Sequence, residues 1–322
     1  MKAMASGTPI QCGACLGRNV KSNTDIWCIN CAEGLCSACS KHHRTSKPSR
    51  DHKTINIDTY RNNLSTRTKY DKQSFDCLSH SINNIAVNIE LKERISIYCI
   101  SDMICLMDGR VVVVESFELS KSGEAFSVTQ IDQYTFAISY PNEKSIKIYN
   151  LKNKTVTKVI KLDKACHGIS FSNHSLAVNL YFNDNDEICI IDLEGNTLKS
   201  IEVPIDKYLE YLVYCNDRVI FSVFDKTVYC YDVSGKQIWE YQNDLRGPRG
   251  LCTDTYGNVF VIDYMSDRMI VISKNGKHCK VLISEEDELD NKKCICLNQS
   301  DSSGFICDIA GTYLAKFNLC YE

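Results

Sequence analysis

The chain has 322 residues, of which 44% are hydrophobic and 24% are charged, a composition typical of globular proteins. It contains no apolar run of the roughly 18 residues that a membrane-spanning helix needs, and no apolar segment follows Lys2 near the N-terminus. The sequence therefore predicts neither a membrane helix nor a secretory signal. We expect a reducing, cytoplasmic environment, in which disulfides are rare.

The net charge of −3 is distributed unevenly along the chain. Residues 1–57 contain 8 Lys and Arg against 3 Asp and Glu, whereas residues 91–322 contain 25 against 33. A basic N-terminal segment thus precedes an acidic body. Because dedicated nucleic-acid binding proteins carry a basic excess, the body lacks the composition expected of that class.

Residues 12–52 hold six cysteines and three histidines. The cysteines form three Cys-x2-Cys pairs, a spacing that suits a tight turn with two thiolates directed at one tetrahedral ion. Eight potential ligands predict two closed, structural zinc sites, and the metal would supply folding free energy that so short a segment cannot obtain from a core. The eight residues are Cys12, Cys15, Cys28, Cys31, Cys36, Cys39, His43 and His52.

This spacing resembles the type 1 B-box zinc finger of the tripartite-motif family, and we assign residues 8–57 to such a finger. The order of ligands, with histidines after the sixth cysteine, differs from that of a RING domain. In the family the ligands interleave as a cross-brace. The resemblance implies that Cys12, Cys15, Cys36 and Cys39 bind one zinc ion, and that Cys28, Cys31, His43 and His52 bind the other. His42 is the alternative to His43.

Residues 58–82 are polar and without heptads, and we predict a linker there. Members of the tripartite-motif family usually carry a second B-box and a coiled coil at this point. Cys77-x2-His80, with Cys99 and Cys105, faintly resembles the opening of a second B-box. A degenerate linker is the preferred interpretation, because the closing histidines are absent.

Residues 83–322 are dominated by short, β-branched and aromatic segments separated by turn residues. Four segments share apolar alternation followed by a turn, with the turn positions at Asn153, Gly195, Gly235 and Gly276. Their spacing of 42, 40 and 41 residues is typical of a β-propeller with four strands per blade.

Residues 248–276 give the clearest copy of the repeat and closely resemble an NHL repeat. The resemblance rests on Asp254, the Tyr256-Gly257-Asn258 turn, Asp263 and Arg268. We expect Asp263 to end one strand and Arg268 to begin the next, with the two charges pairing. For these charged residues, stabilisation of turns is preferred over ligand binding.

The repeat predicts six blades, which begin near residues 95, 127, 167, 208, 248 and 291, with the first blade shortened. The C-terminal blade lacks an outer strand. Residues 83–90 are predicted to supply it, closing the ring by pairing with the C-terminal blade.

The sequence contains no familiar catalytic motif, and His167, His174 and His278 are interpreted as incidental. We therefore predict that the chain is not an enzyme and takes part in ubiquitin transfer only through a partner. The resemblance implies a zinc-binding adaptor or regulator that binds proteins through the propeller face and the B-box, within ubiquitin-ligase or innate-immune-type assemblies. B-box-mediated self-association is expected. The alternatives are a ubiquitin-protein ligase or ligase subunit, and an RNA-binding NHL protein.

Overall fold

A computed structural model defines the fold. The residues that it describes are 12, 15, 20, 22–28, 33–45, 54–57, 82–97, 99–106, 109–115, 124–182, 185–203, 209–223, 226–287, 289–298 and 302–321. The chain divides into two compact units, Met1–Ser79 and His80–Glu322, here called the head and the body.

The described part of the head contains a small antiparallel sheet and a helix of nine residues. The sheet has the order β2-β1-β3, and its elements are β1 (Ile26–Cys28), β2 (Glu33–Leu35), α1 (Ser37–Thr45) and β3 (Thr54–Asn56). The Asp25 carboxylate caps α1 by accepting a hydrogen bond from the backbone N–H of Ser37 at 2.7 Å. An anion at this end also interacts favourably with the helix dipole. The cap fixes the start of α1, which carries Cys39.

The body consists mainly of four-stranded antiparallel sheets. Four of them are each built from consecutive strands. These strands are β7 (Val128–Gln130), β8 (Thr135–Tyr140), β9 (Ser145–Asn150), β10 (Thr155–Lys161), β11 (Ala165–Ser172), β12 (Ser175–Phe182), β13 (Asn185–Ile191), β14 (Thr197–Glu202), β15 (Leu209–Cys215), β16 (Arg218–Val223), β17 (Thr227–Asp232), β18 (Gln237–Tyr241), β19 (Pro248–Thr253), β20 (Val259–Asp263), β21 (Arg268–Ile272) and β22 (Cys279–Ile283).

The fifth four-stranded sheet combines strands from both ends of the body, in the order β23-β24-β25-β4. Its strands are β4 (Ile85–Arg94), β23 (Lys292–Asn298), β24 (Ser303–Asp308) and β25 (Tyr313–Tyr321). A separate two-stranded sheet consists of β5 (Ile100–Cys105) and β6 (Val111–Glu115). Short 3-10 helices lie at Ile82–Asn84 and Tyr264–Ser266.

The first strands of the sheets lie side by side in a closed cycle, β5-β7-β11-β15-β19-β23, with β23 contacting β5 again. This cycle is the inner wall of a β-propeller. Burial falls from the inside outwards: β20, the second strand of its sheet, is buried at every position, whereas the outer strand β14 buries only Ile201. Continuous apolar runs such as that of β20 therefore mark strands with both faces covered.

The number of complete blades is five among the described residues, and the predicted count of six is corrected. Five of the predicted starting positions lie close to the beginning of a four-stranded sheet, but the one near residue 95 leads only to the two strands of β5 and β6. A four-stranded repeat takes about 40 residues in this chain, and the segment before β7 is too short to hold one. The β5–β6 hairpin nevertheless occupies a place in the ring, because β5 contacts both β23 and β7.

Apolar side chains fill the spaces between neighbouring sheets. One cluster joins Ile188 and Ile201 to Leu212 and Phe221 across two sheets, and comparable clusters lie between the others. The β5–β6 hairpin contributes to two of them through Met103 and other residues of its two faces. Each blade thus depends on its neighbours for burial of its two faces, as expected for a repeat protein.

The ring is closed by antiparallel pairing of β4 with β25, which confirms the prediction for residues 83–90. The register runs from Ile85 opposite Tyr321 to Arg94 opposite Tyr313. On the inner face, Ile85 is fully buried in a cluster that also contains Phe317. On the outer face, the Lys316 ammonium pairs with the Glu90 carboxylate at 2.9 Å.

The chain continues from β4 to β5 along the turn that joins β24 and β25. The backbone N–H groups of Ile95 and Ile97 donate to the carbonyls of Thr312 and Gly311, at 2.9 and 3.2 Å. Gly311 has φ +67°, and a Cβ atom there would lie 1.9 Å from the Ile97 carbonyl oxygen. Only glycine permits this close approach of two backbone segments.

We predict that β4 is required for the stability of the body. A truncated chain of residues 80–322 should melt cooperatively. In a chain of residues 95–322 the free energy of unfolding should be lower by about 5 kcal/mol or more, because the hydrogen bonds of a whole strand and several apolar contacts are lost together. Thermal unfolding followed by circular dichroism measures the difference. In the full chain, Ile85→Ala should lower the melting temperature clearly and Glu93→Ala, at an exposed position of the same strand, should not. Coincident melting curves for the two truncated chains would contradict the prediction.

Candidate metal centre

The structure brings together four of the predicted ligands in the head. The Sγ atoms of Cys12, Cys15, Cys36 and Cys39 all lie within 4.8 Å of one another. Two of the separations are 3.8 Å, from Cys15 to Cys36, and 3.6 Å, from Cys15 to Cys39. Tetrahedral zinc with Zn–S bonds of about 2.3 Å requires sulfur atoms about 3.8 Å apart, whereas a disulfide requires about 2.05 Å. The donor set and its spacing therefore fit a metal ion.

Local backbone geometry prepares these four positions. The N–H of Cys15 donates to the carbonyl of Cys12 at 3.1 Å, which closes the tight turn that the Cys-x2-Cys spacing predicts. The third Cys-x2-Cys pair lies at the beginning of α1, with Cys36 immediately before the helix and Cys39 in its first turn. The N–H of Ser40 donates to the Cys36 carbonyl at 2.8 Å. The turn thus places the thiols of Cys12 and Cys15, and the start of α1 places those of Cys36 and Cys39, around one common point.

The thiols differ in their readiness to ionise. The backbone N–H of Cys39, followed by the Ser22 side chain, stabilises the thiolate of Cys36 and lowers its pKa to about 6. The hydrogen bond shared with the Cys15 thiol, together with burial, raises the pKa of Cys39 to about 12. Thiolates crowded this closely repel one another in the absence of a countercharge. A bound cation would remove the repulsion and favour all four thiolates.

The second predicted site is described only in part. Cys28 is buried at the end of β1 and His43 is partly buried on α1, but Cys31 and His52 lie outside the described residues. Among the described residues, Cys28 does not belong to the four-sulfur group. His42, the alternative to His43, is exposed on α1. The second zinc site therefore stays a prediction, as does the count of two ions.

In the body, the NHL-like motif stabilises the ends of the strands. Asp263 is the last residue of β20 and is fully buried, and its carboxylate accepts hydrogen bonds from the N–H groups of Arg246 and Gly247 at 2.9 and 2.8 Å. Its second oxygen pairs with Arg268, the first residue of β21, at 2.9 Å. The expected pairing of Asp263 with Arg268 is thus confirmed.

Asp254 has the corresponding role in the preceding turn of the same blade, between β19 and β20. Its Oδ1 atom accepts hydrogen bonds from the N–H groups of Tyr256 and Asn258, at 2.9 and 2.8 Å. Asp192 and Asp232 make the same contacts in turns of the preceding sheets, to residues two and four positions further on. All three aspartates stabilise turns, and for Asp254 this is the role that the sequence favoured.

The three histidines that the sequence analysis treated as incidental, His167, His174 and His278, lie in three different places in the body. The His167 ring makes an edge contact with Phe126, with centroids 5.0 Å apart. His174 lies in a turn with φ +60°. The backbone N–H of His278 donates to the Ser273 hydroxyl at 3.0 Å, also in a turn.

Comparison with known proteins supports the fold alone. No family model and no curated protein matches the sequence. Among solved structures, the chain is similar to selenomethionine-substituted virginiamycin B lyase from Staphylococcus aureus, with 11% sequence identity and a TM-score of 0.50. The match covers 73% of this chain and 99% of that chain. It supports a β-propeller fold, and neither the family models nor the curated proteins yield a match to a B-box or an NHL protein.

This comparison corrects the prediction that the chain is not an enzyme. That prediction depended on the absence of familiar motifs, but the similar structure is that of a lyase built on a propeller. Residues that act together in a propeller come from separate blades, so linear motifs are a poor guide to them. The fold therefore gives no ground for excluding catalysis. Within the described residues, no helix is long and apolar enough to cross a bilayer.

We predict that zinc binding depends on the four-sulfur group. Metal analysis of the purified chain should find zinc, and Cys12→Ser should remove one ion per chain, because three thiolates with one hydroxyl hold zinc far more weakly. Cys320→Ser is the matched control, since Cys320 is an exposed thiol at the end of β25 and should leave the zinc content unchanged. Equal zinc content in all three proteins would show that the group is not a metal site.

We also predict that Asp263 contributes far more than Asp244 to the stability of the body, although both carboxylates pair with Arg268. Asp263 is fully buried, whereas the side chain of Asp244 is 75% exposed. Asp263→Asn should destabilise the body by about 2–4 kcal/mol, because buried donors lose a charged acceptor. Asp244→Asn should change the stability of the body far less, because solvent screens an ion pair of so exposed a carboxylate. Urea denaturation of both variants tests this, and similar losses would contradict the assigned role of Asp263.

Proposed function

We propose that this protein is a cytoplasmic, zinc-dependent adaptor or regulator that binds proteins, with a B-box-like head for assembly and an NHL-like propeller for partner binding. The observation that carries the proposal is the grouping of cysteines in the head. The first and third Cys-x2-Cys pairs meet, while Cys28 from the second pair stays apart.

Interleaved grouping distinguishes a cross-brace from a simple series of zinc fingers. In a series, the first pair would share an ion with the second. Here Cys12 and Cys15 approach Cys36 and Cys39, with the whole of β1 and β2 between the two pairs. This is the arrangement that the B-box resemblance implies. A closed site with four sulfur ligands supports a structural metal, worth on the order of 10 kcal/mol or more of folding free energy in comparable small domains.

The body supports the proposal as a scaffold for recognition. Its closed ring holds the loops between strands in fixed positions, and loops on a rigid scaffold are where binding residues concentrate. Two large side chains are exposed in such loops of one blade, Tyr256 and Met265. The acidic balance of residues 91–322 favours proteins over nucleic acid as partners. Assemblies of the ubiquitin-ligase or innate-immune type are those that the resemblance implies.

The experiment compares the full chain with a head variant, Cys12→Ser/Cys36→Ser, and with Cys320→Ser as the control. Each protein is expressed in cells with an affinity tag, crosslinked and purified with and without nuclease, and binding to each identified partner is then reconstituted from purified components. Light scattering gives the mass of each purified protein in solution.

We expect protein partners that persist after nuclease treatment and bind directly in reconstitution. The head variant should lose self-association, whereas its body, residues 80–322, should still bind the partners that the wild-type body binds. Partners that disappear with nuclease would instead indicate RNA binding. A head variant with unchanged mass and unchanged partners would contradict the role of the head in assembly.

A further inference from the structure

A cavity of about 280 Å³ lies at the centre of the propeller. All six innermost strands line it, from β5 and β7 through β11, β15 and β19 to β23. Its volume is close to the lower end of the range for small-ligand sites in proteins. Several lining side chains are only half-buried, among them Asp102, Gln130 and Leu297, so solvent reaches the cavity.

Each innermost strand is the edge strand of its sheet and faces the cavity. Side chains of one innermost strand accept hydrogen bonds from backbone N–H groups of the innermost strand in the neighbouring sheet. Hydroxyl groups do this at three positions, and a carboxylate does it at the fourth. These contacts are Ser127 Oγ with Ile169 N at 3.3 Å, Thr129 Oγ1 with Phe171 N at 2.9 Å, Ser170 Oγ with Tyr214 N at 2.9 Å, and Asp102 Oδ2 with Val128 N at 3.0 Å. A neutral hydroxyl is thus sufficient for this structural task.

Asp102 brings a negative charge that the task does not require. Its Oδ2 atom also accepts a hydrogen bond from Ser127 Oγ at 2.7 Å, and its Oδ1 atom accepts one from the N–H of Met103 at 2.8 Å. Since each carboxylate oxygen can accept two hydrogen bonds, Oδ1 retains capacity for another donor. Burial raises the pKa of Asp102 to about 6, so the group is mostly ionised at neutral pH.

The positive charge that stabilises ionised Asp102 from within the described residues makes its hydrogen bond elsewhere. The Lys293 ammonium favours the ionised form of Asp102 through space, but it donates its hydrogen bond to the carbonyl of Ile100 at 2.7 Å. The cavity wall therefore presents a fixed carboxylate that no cation of the described residues contacts directly.

The rest of the lining restricts the kind of ligand. Ile104, Val213 and Leu297 are half-buried apolar residues on three different strands of the wall. Asp102 is the single acidic residue of the lining, and no histidine contributes. Asp102 would repel an anion. A divalent cation would find one carboxylate among the described lining residues and would take most of its oxygen ligands from water, so it would make no use of the apolar wall.

We propose that the central cavity binds a small organic ligand with a primary ammonium group, with the cation against Asp102 and the alkyl portion against Ile104, Val213 and Leu297. The ammonium supplies a hydrogen-bond donor and a positive charge in direct contact with the carboxylate, and the alkyl portion removes apolar surface from water. This inference stands independently of the proposed adaptor function.

The test uses the full chain and n-butylammonium as the probe, with n-butanol as the uncharged analogue of the same shape. Binding is followed by NMR shifts of methyl groups of Ile104, Val213 and Leu297, which report the cavity itself. The amine should shift these signals at concentrations at least about tenfold lower than the alcohol does, as a charge-assisted hydrogen bond implies. Asp102→Asn should remove most of that preference, and Glu285→Gln, at an exposed acidic position, should preserve it.

Equal binding of amine and alcohol to the wild-type chain would overturn the proposal, and this comparison remains decisive if the Asp102 variant does not fold. Unchanged amine binding by a folded Asp102→Asn variant would overturn it as well. A third probe, Nα-acetyl-lysine methylamide, distinguishes sources of the ammonium group. If this probe shifts the same methyl signals, the natural ligand of the cavity can be a lysine side chain of a protein partner. If only n-butylammonium shifts them, the ligand is a free amine.

Discussion

The pairing of β4 with β25 is the interaction on which the body depends. A propeller buries each blade between two neighbours, so a ring that is not joined exposes an unpaired strand edge and the inner faces of two blades. Here residues that are more than 200 positions apart in the chain form adjacent strands, from Ile85 opposite Tyr321 to Arg94 opposite Tyr313. The same pairing positions the start of β5, because Ile95 and Ile97 continue along the Gly311 turn. Because Asp102 lies on β5, this pairing also determines where Asp102 stands in the wall of the central cavity.

The head and the body are stabilised in different ways. The body has extensive apolar clusters between sheets, and its buried charges, such as Asp263, are satisfied by backbone N–H groups and by Arg268. In the described residues of the head there are three strands of three residues each and a helix of nine, Ser37–Thr45, and elements this short bury far less apolar surface than the sheets of the body. The four sulfur atoms of the head are the feature that brings distant segments together. A metal ion bound by this group would have the stabilising role in the head that hydrophobic packing has in the body.

Much of this arrangement could be predicted from the sequence, for physical reasons that differ between features. Turn residues at Asn153, Gly195, Gly235 and Gly276 recur because each blade repeats the same outer hairpin, and the period reveals the propeller. The closing strand could be predicted because the last blade lacks one strand. The four-sulfur group could be anticipated by family resemblance, because Cys-x2-Cys spacing dictates a local turn that the structure contains.

Other features could not be predicted, because they arise only when distant strands meet. The count of six blades was wrong because a period does not reveal how many strands a short repeat can form. Among the described residues between β4 and β7, only the two strands β5 and β6 form. The role of Asp102 depends on Ser127 and Val128 of the neighbouring sheet, which no local pattern connects to it. The exclusion of catalysis failed for the same reason, since sites in propellers are assembled across blades. The capping of α1 by Asp25 likewise depends on tertiary structure.

Amide hydrogen exchange of β4 and β25 tests the closure of the ring most directly. If β4 completes the fifth blade, the N–H groups of β4 that face β25 should exchange only through global unfolding, with protection equal to that of β25 and the same dependence on denaturant. Rapid exchange throughout β4 alongside slow exchange in β25 would show a frayed strand on an open ring, and would contradict the account.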